Sequence, residues 1–342
     1  MADRAKQPSE GFSANDIRPA DLMAGQRAAM HRDIEMMLAW RDEFVHVSCP
    51  ACAADRPQPL YEKYGLSHVR CRECDTQYVN PRPGPDRLAQ FYQASENYKY
   101  WATHVFPASK DVRREKIFVP RADIAVDLAV EQGFQNAALL EVGAGYGLFC
   151  DAIRERGVFS RIIAIEPTPD LAEICRGMGL EVIESPYEDV EIDTPVDMIA
   201  NFEVIEHLFA PDKFLAWLYA TLRPGGWLLL TCPNVAGFET RVLGCDSDTV
   251  DHQHLNLFTP ESLAMLARRV GFDSVKLCTP GRLDVDIVRT ARRKGNVPAA
   301  ALGPYLTDLM DSDDEEGGNR FQDFLAEAGL SSNMRMTARR PD

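Results

Sequence analysis

Apolar positions change their period several times along the chain, and the changes mark out its elements. Over 16–40 they recur at helical spacing (Leu22, Met23, Ala28, Met30, Ile34, Met37, Leu38), which predicts one or two helices. A short helix is expected around 86–92 and a long amphipathic helix over 109–132. Beyond it, short apolar runs alternate with helical stretches. Strands are expected at 137–142, 161–165, 181–183, 196–200, 226–231, 274–278 and 284–289, and helices at 148–156, 169–178, 211–222 and 260–270. This alternation predicts an α/β fold: a doubly wound, mostly parallel seven-stranded sheet with helices on both faces. After 293 the strand pattern is lost. A helix near 300–310, an acidic run from Asp311 to Glu316 and a short helix near 321–328 follow, and the acidic run reads as a solvated linker.

These shifts divide the chain into a tail and helices at 1–44, a cysteine-bearing module at 45–84, a connecting helical segment at 85–108, the α/β domain at 109–292 and a helical extension with the acidic linker at 293–342. The connecting segment carries Tyr98, Tyr100, Trp101 and Phe106, which read as packing between module and main domain. A length of 342 residues suffices for one large domain and a smaller module. No apolar run is long enough to cross a bilayer, so no membrane partner is expected. Residues 1–15 are polar and lack an apolar signal core, so a tail and a cytoplasmic location are expected. The net charge of −15 disfavours nucleic acid as a partner, because its phosphates must be neutralised by Lys and Arg.

Four of the nine cysteines form two C-x-x-C pairs, Cys49/Cys52 and Cys71/Cys74, with 18 residues between the pairs. Two such knuckles match a tetrahedral four-thiolate zinc site and a small zinc-ribbon module. Four thiolates leave no coordination position open, so the zinc should be structural. The remaining cysteines are scattered and read as reduced thiols.

The predicted strand at 137–142 runs into Gly143-Ala144-Gly145-Tyr146-Gly147, and a helix follows. A strand, a glycine turn and a helix at the C-terminal edge of a parallel sheet hold nucleotide-like ligands. Leu148 stands where a dinucleotide fingerprint needs its third glycine, so that reading fails. The loop, with Glu141 before it, instead resembles the first motif of class I S-adenosylmethionine-dependent methyltransferases, whose fold is Rossmann-like. Ile165-Glu166-Pro167 is similar to the family's second motif, the turn Arg223-Pro224-Gly225-Gly226 to the one before its fifth strand, and Pro233-Asn234 to the close of that strand. The resemblance covers roughly 110–290. It implies that Glu141, Gly143, Gly145 and Gly147 hold the methionyl part of S-adenosylmethionine, that Glu166 with Pro167 holds the ribose, and that Asn201, Phe202 and Glu203 border the adenosine. Where many relatives place an Asp for the adenine amino group, this chain has Ser185-Pro186-Tyr187, and Tyr187 is the candidate there.

Asp251-His252-Gln253-His254 lies after the fifth expected domain strand, where an acceptor should approach. It resembles the H-E-H segment of sugar methyltransferases that carry an N-terminal four-cysteine zinc domain, with Gln253 in place of the Glu. The resemblance makes His254 the catalytic base, and a neutral imidazole suits proton removal. A loop hydrogen bond is the simpler role for His252. Glu203, Glu206, His207 and His254 together also resemble an E-x-x-E-H plus His site that binds Mg²⁺ beside acceptor hydroxyls. The expected activity is methyl transfer to an O, N or C atom of a small polar metabolite, with a nucleotide-activated sugar leading. The alternatives are an RNA or protein methyltransferase that grips its substrate with the zinc module, and a Mg²⁺-assisted O-methyltransferase of a phenolic or diol acceptor.

Overall fold

The computed structural model describes residues 12–342, so the tail expected at 1–15 lies outside the described residues as far as residue 11. Its strands are β1 (Pro57–Lys63), β2 (Leu66–Cys71), β3 (Gln77–Val79), β4 (Ala137–Val142), β5 (Phe159–Ile165), β6 (Glu181–Ile183), β7 (Val196–Phe202), β8 (Leu222–Pro233), β9 (Asn256–Leu257), β10 (Asp273–Cys278) and β11 (Asn333–Arg339). Seven of them form one sheet in the order β10-β11-β8-β7-β4-β5-β6. The pairs β4/β5, β4/β7, β5/β6 and β7/β8 are parallel. β11 is antiparallel to both β8 and β10.

The central strands are apolar on both faces because helices cover both. Leu140, Val142, Ile199, Leu228 and Leu230 enter one core with Phe214, Leu218 and Leu263 from helices Pro211–Thr221 and Pro260–Val270. Leu139, Met198, Ala200 and Leu229 enter the opposite core with Ala125, Ala129 and Phe149 from helices Val119–Glu131 and Leu148–Arg154. Helix Pro260–Val270 shows why local sequence fixes such elements. Pro260 starts it, Thr259 and Ser262 bond reciprocally to each other's backbone N–H, and Gly271 closes it at φ 119°.

Two expectations are corrected. The strand expected at 284–289 is the helix Asp284–Arg293, with Asp284 and Asp286 in its first turn, Val285 and Val288 buried one turn apart, and Arg292 and Arg293 at its end. The seventh sheet strand is β11, from the stretch placed in the C-terminal extension, where buried Met334, Met336 and Ala338 alternate with half-buried neighbours. The acidic run is exposed to solvent, and ion pairs and a helix cap tie it to its neighbours. Asp311 pairs with Arg292, Asp313 pairs with Arg293, and Asp314 caps helix Glu315–Glu327.

The second sheet, β1-β2-β3-β9, is three strands of the cysteine module completed by β9, which comes from the stretch just after His254. A buried cluster of Met37, Leu66, Val79, Leu88, Phe91 and Leu255 joins the N-terminal helix Met23–Leu38, the module, helix Pro85–Ala94 and the histidine loop. No helix among the described residues is long and apolar enough to cross a membrane.

Candidate active site

The glycine loop leaves β4 with Gly143 at φ 79° and Gly145 at φ 54°, a backbone region that side chains strain. A Cβ on Gly143 would lie 2.7 Å from Val204, so the loop is in contact with the turn that follows β7. A Cβ on Gly145 would meet nothing within 4 Å, which leaves space for a ligand against the backbone. Glu166, at the tip of β5, is buried. It accepts from Gly145 N (2.8 Å) and Thr168 N (2.9 Å), and burial still raises its pKa. Pro167 beside it is exposed. Glu141 is buried beneath the loop and accepts from the Cys150 thiol at 3.0 Å. Desolvation pushes Glu141 up to about 8, which suits a site that receives a cation such as the methionyl ammonium. Tyr98 and Phe106 pack with Tyr146 and Leu148, so these aromatics meet the loop itself. An open backbone concavity, two buried carboxyls and an aromatic wall fit S-adenosylmethionine.

The remaining expected cofactor residues divide. Asn201 is buried and donates to Val142 O at 2.8 Å, and its Oδ1 has no partner among the described residues. Phe202 packs edge-on against Phe149 and lies under the Arg121 guanidinium at 4.6 Å. Glu203 sits at φ 55°, and its carboxylate is taken up by Arg121 (2.7 Å), Thr231 Oγ1 (2.6 Å) and Asn333 Nδ2 (3.3 Å). Tyr187 packs on Phe214 and Trp217 beside the sheet, so its ring is committed to the core there.

Across the edge of the sheet, two imidazoles face each other. His207 and His254 have ring centroids 4.7 Å apart. His207 Nδ1 bonds Gln253 O (3.2 Å) and His254 Nδ1 bonds Thr249 O (2.8 Å). A carbonyl only accepts, so each Nδ1 carries the proton and each Nε2 is left with its lone pair. Burial, then the neighbouring His254, pushes His207 down to about 3, which leaves it neutral and a poor base. Glu206 is buried with Oε2 unpartnered, and burial followed by Glu203 holds its pKa well above normal.

Donor atoms of Glu206, His207 and His254 lie within 4.8 Å of one another. One carboxylate and two imidazoles do not suit Mg²⁺, which takes oxygen ligands. The expected fourth donor, Glu203, is engaged elsewhere. The Mg²⁺ expectation therefore does not fit these residues.

His252 carries more than a loop hydrogen bond. It is fully buried, bonds Asp251 through Nδ1 and has Nε2 3.9 Å from Asp33 of the N-terminal helix. Asp33 in turn accepts from Ser95 Oγ and from the N–H groups of Glu96 and Asn97. Burial opposes a charge on His252, but the two carboxylates raise it to about 9. Sequence reading missed Asp33, although it is a charged residue on the same buried helical face as Met30, Ile34 and Met37.

The four cysteines meet as their spacing requires. Sγ atoms of Cys49 and Cys74, and of Cys52 and Cys71, are 3.5 Å apart, and all four lie within 4.8 Å. A tetrahedral Zn²⁺ with Zn–S of about 2.3 Å separates its sulfurs by about 3.8 Å, so the cluster fits. The two knuckles are alike: Ala53 N bonds Cys49 O, Asp75 N bonds Cys71 O, and Ala53 and Asp75 both have positive φ.

Residues 114–277, which include β4 to β9 with the glycine loop and both facing histidines, match the family model described as a methyltransferase domain. Residues 114–277 thus form a methyltransferase domain. The chain is 31% identical over 151 residues to a ubiquinone biosynthesis O-methyltransferase of Xylella fastidiosa, covering 40% of this chain and 61% of that relative. It is 32% identical over 104 residues to a probable S-adenosylmethionine-dependent methyltransferase of Mycolicibacterium smegmatis, covering 30% and 40%. Among solved structures, the 1,6-didemethyltoxoflavin-N1-methyltransferase of Burkholderia thailandensis is 19% identical with a TM-score of 0.48, covering 83% of this chain and all of that one. The chain thus spans about three fifths of the length of the first curated relatives it matches.

Proposed function

We propose that this protein transfers a methyl group from S-adenosylmethionine to an O, N or C atom of a small polar metabolite, with His254 as the base. The observation that carries the reading is the placement of His254. Its Nδ1 proton is fixed by Thr249 O, which leaves Nε2 with its lone pair, and its ring centroid lies 4.7 Å from that of His207, on the turn whose Val204 contacts the glycine loop. The cofactor supplies an electrophilic methyl on a sulfonium. The chain's own work is to hold the acceptor in line and take its proton. Glu141, Gly143, Gly145, Gly147 and Glu166 form the cofactor cradle in this reading, with Phe202 at its adenosine side. The four cysteines hold a structural zinc.

A nucleotide-activated sugar leads among acceptors because a four-cysteine module and an H-x-H loop occur together here, as in the sugar methyltransferases that the sequence resembles. A second reading, O-methylation of a phenolic hydroxyl, is favoured by relatives named as ubiquinone biosynthesis O-methyltransferases. An RNA or protein substrate gripped by the module is less favoured, since the free edge of β3 is already used by β9 and the net charge is −15. The test is mass spectrometry of products after incubating the protein and S-adenosylmethionine with panels of nucleotide sugars and phenols. Methylated product lost in His254→Ala supports the reading, and unchanged turnover in that variant removes His254 from the role.

A further inference from the structure

Asn256 lies two residues beyond His254, is the first residue of β9, and is fully buried. Its Nδ2 donates to Leu208 O at 2.7 Å and reaches Glu206 O and Ile205 O at 3.3 and 3.4 Å. Those three carbonyls belong to the turn that carries His207. The Oδ1 of the same side chain accepts from Arg82 Nη1 at 2.7 Å, and Arg82 is a buried guanidinium at the exit of the cysteine module. The backbone around Asn256 is tied to the module as well. Tyr78 pairs with Asn256, Gln77 pairs with Leu257, and Val79 N donates to Leu255 O at 3.0 Å. Strand β3 begins three residues after Cys74, whose sulfur lies 3.1 Å from Thr76 Oγ1. One carboxamide therefore stands where three pieces meet: the cysteine module, the His254 strand and the His207 turn.

We infer that Asn256 is the positioning residue through which the four-cysteine module sets His254 against His207. The inference rests on His254 being the base, and it deepens that reading by giving the module a part in the active site as well as in stability. A buried carboxamide with both ends occupied fixes register, because moving either partner strands a donor or an acceptor in a dry site. The base is then held in place by a chain that starts at the thiolates.

The decisive variant is Asn256→Asp. It keeps the volume and the Arg82 contact but loses the N–H that binds the turn. A merely structural role predicts kcat close to wild type wherever the variant retains its melting temperature. The positioning role predicts a kcat loss on the order of 100-fold, with cofactor affinity by calorimetry unchanged. Wild-type kcat in a folded Asn256→Asp protein overturns the inference. His254→Ala is measured in parallel, so that failure of the base reading is seen separately. If Asn256→Asp does not melt cooperatively, the wild-type protein decides by nitrogen-15 spectra of its histidine rings with and without a thiol-competing chelator. Shifts at both His207 and His254, with cofactor still bound, support the inference. Rings that do not move overturn it.

Discussion

The cofactor half of the site comes from one strand–turn–helix, 139–149, closed by the tip of the next strand at Glu166. The histidine half is assembled from separate stretches: Asp33 on the N-terminal helix, Tyr92, whose hydroxyl reaches His207 O at 3.4 Å, the module strand β3, the 205–208 turn and the 251–256 loop. The first half is built by local geometry and lies against the sheet's central strands. The second depends on contacts far apart in sequence and on a module whose two knuckles meet at four thiols. The two should therefore fail differently. Damage to the module ought to remove acceptor chemistry and leave cofactor binding in place.

The largest expected effect tests that separation. A structural four-thiolate zinc is worth on the order of 10 kcal/mol of folding free energy. Stripping it with a strong chelator, or replacing Cys49 and Cys52 by Ser, is expected to abolish the module's contribution to a cooperative melt. Thiol titration should find four newly reactive cysteines after chelation and two, Cys71 and Cys74, in the double variant, and calorimetry with S-adenosylmethionine should still show binding. Loss of cofactor binding in step with the metal would break the comparison.

His254→Ala comes next. Removing a positioned general base costs about 10²–10⁴ in rate. The loss should fall on kcat, with cofactor affinity unchanged, because the imidazole contacts His207 and Thr249 O and none of the residues proposed to cradle the cofactor. An effect confined to cofactor affinity would put His254 in the wrong half.

How much of this was legible follows the same division. Residues 139–149 read as strand, turn and helix because each signal is contiguous, and the four cysteines announce themselves by spacing. The stretch at 284–289 misled because Val285 and Ile287 alternate with polar residues as in a strand. Its acids and the arginines that follow suit the ends of a helix, and the helix is what forms. β11 offered a real period of two in Met334, Met336 and Ala338, but its pairing partners lie about a hundred residues away in β8, beyond the reach of local pattern. Asp33 and Asn256 are polar residues at apolar positions of their elements, a usable signal of a buried partner. Nothing in the sequence says that the partners are His252 and the 205–208 turn.

The buried His252 charge gives a smaller effect with a definite sign. An unfolded histidine titrates near 6.5, whereas His252 titrates near 9 with Asp251 and Asp33 overcoming its burial. The folded state binds this proton more tightly. The stabilisation is thus fully present below about pH 6.5 and is lost as the pH rises towards 9, a change of roughly 3 kcal/mol at most. Thermal melts of the wild type should fall across that window, and those of His252→Gln should start lower and vary less. A wild-type melt that is flat between these pH values would mean that the N-terminal helix and the histidine loop are not joined by charge.

Glu166→Gln is the mildest test and addresses the cofactor half alone. The carboxylate takes one backbone N–H on each oxygen, from Gly145 and from Thr168. A glutamine can accept at one of these positions only. Its amide nitrogen turns towards the other N–H, and that donor is left without an acceptor in a buried place, at a cost of about 1–3 kcal/mol. If the carboxylate also accepts from the ribose hydroxyls, cofactor affinity should weaken by about tenfold, near 1.4 kcal/mol. The kcat at saturating cofactor should stay close to wild type, because the contacts of Glu166, with Gly145 N and Thr168 N, lie within the proposed cofactor half. A kcat loss as large as that of His254→Ala would show the two halves to be coupled, and the contact between Gly143 and Val204, where the glycine loop meets the histidine turn, is a route for that coupling.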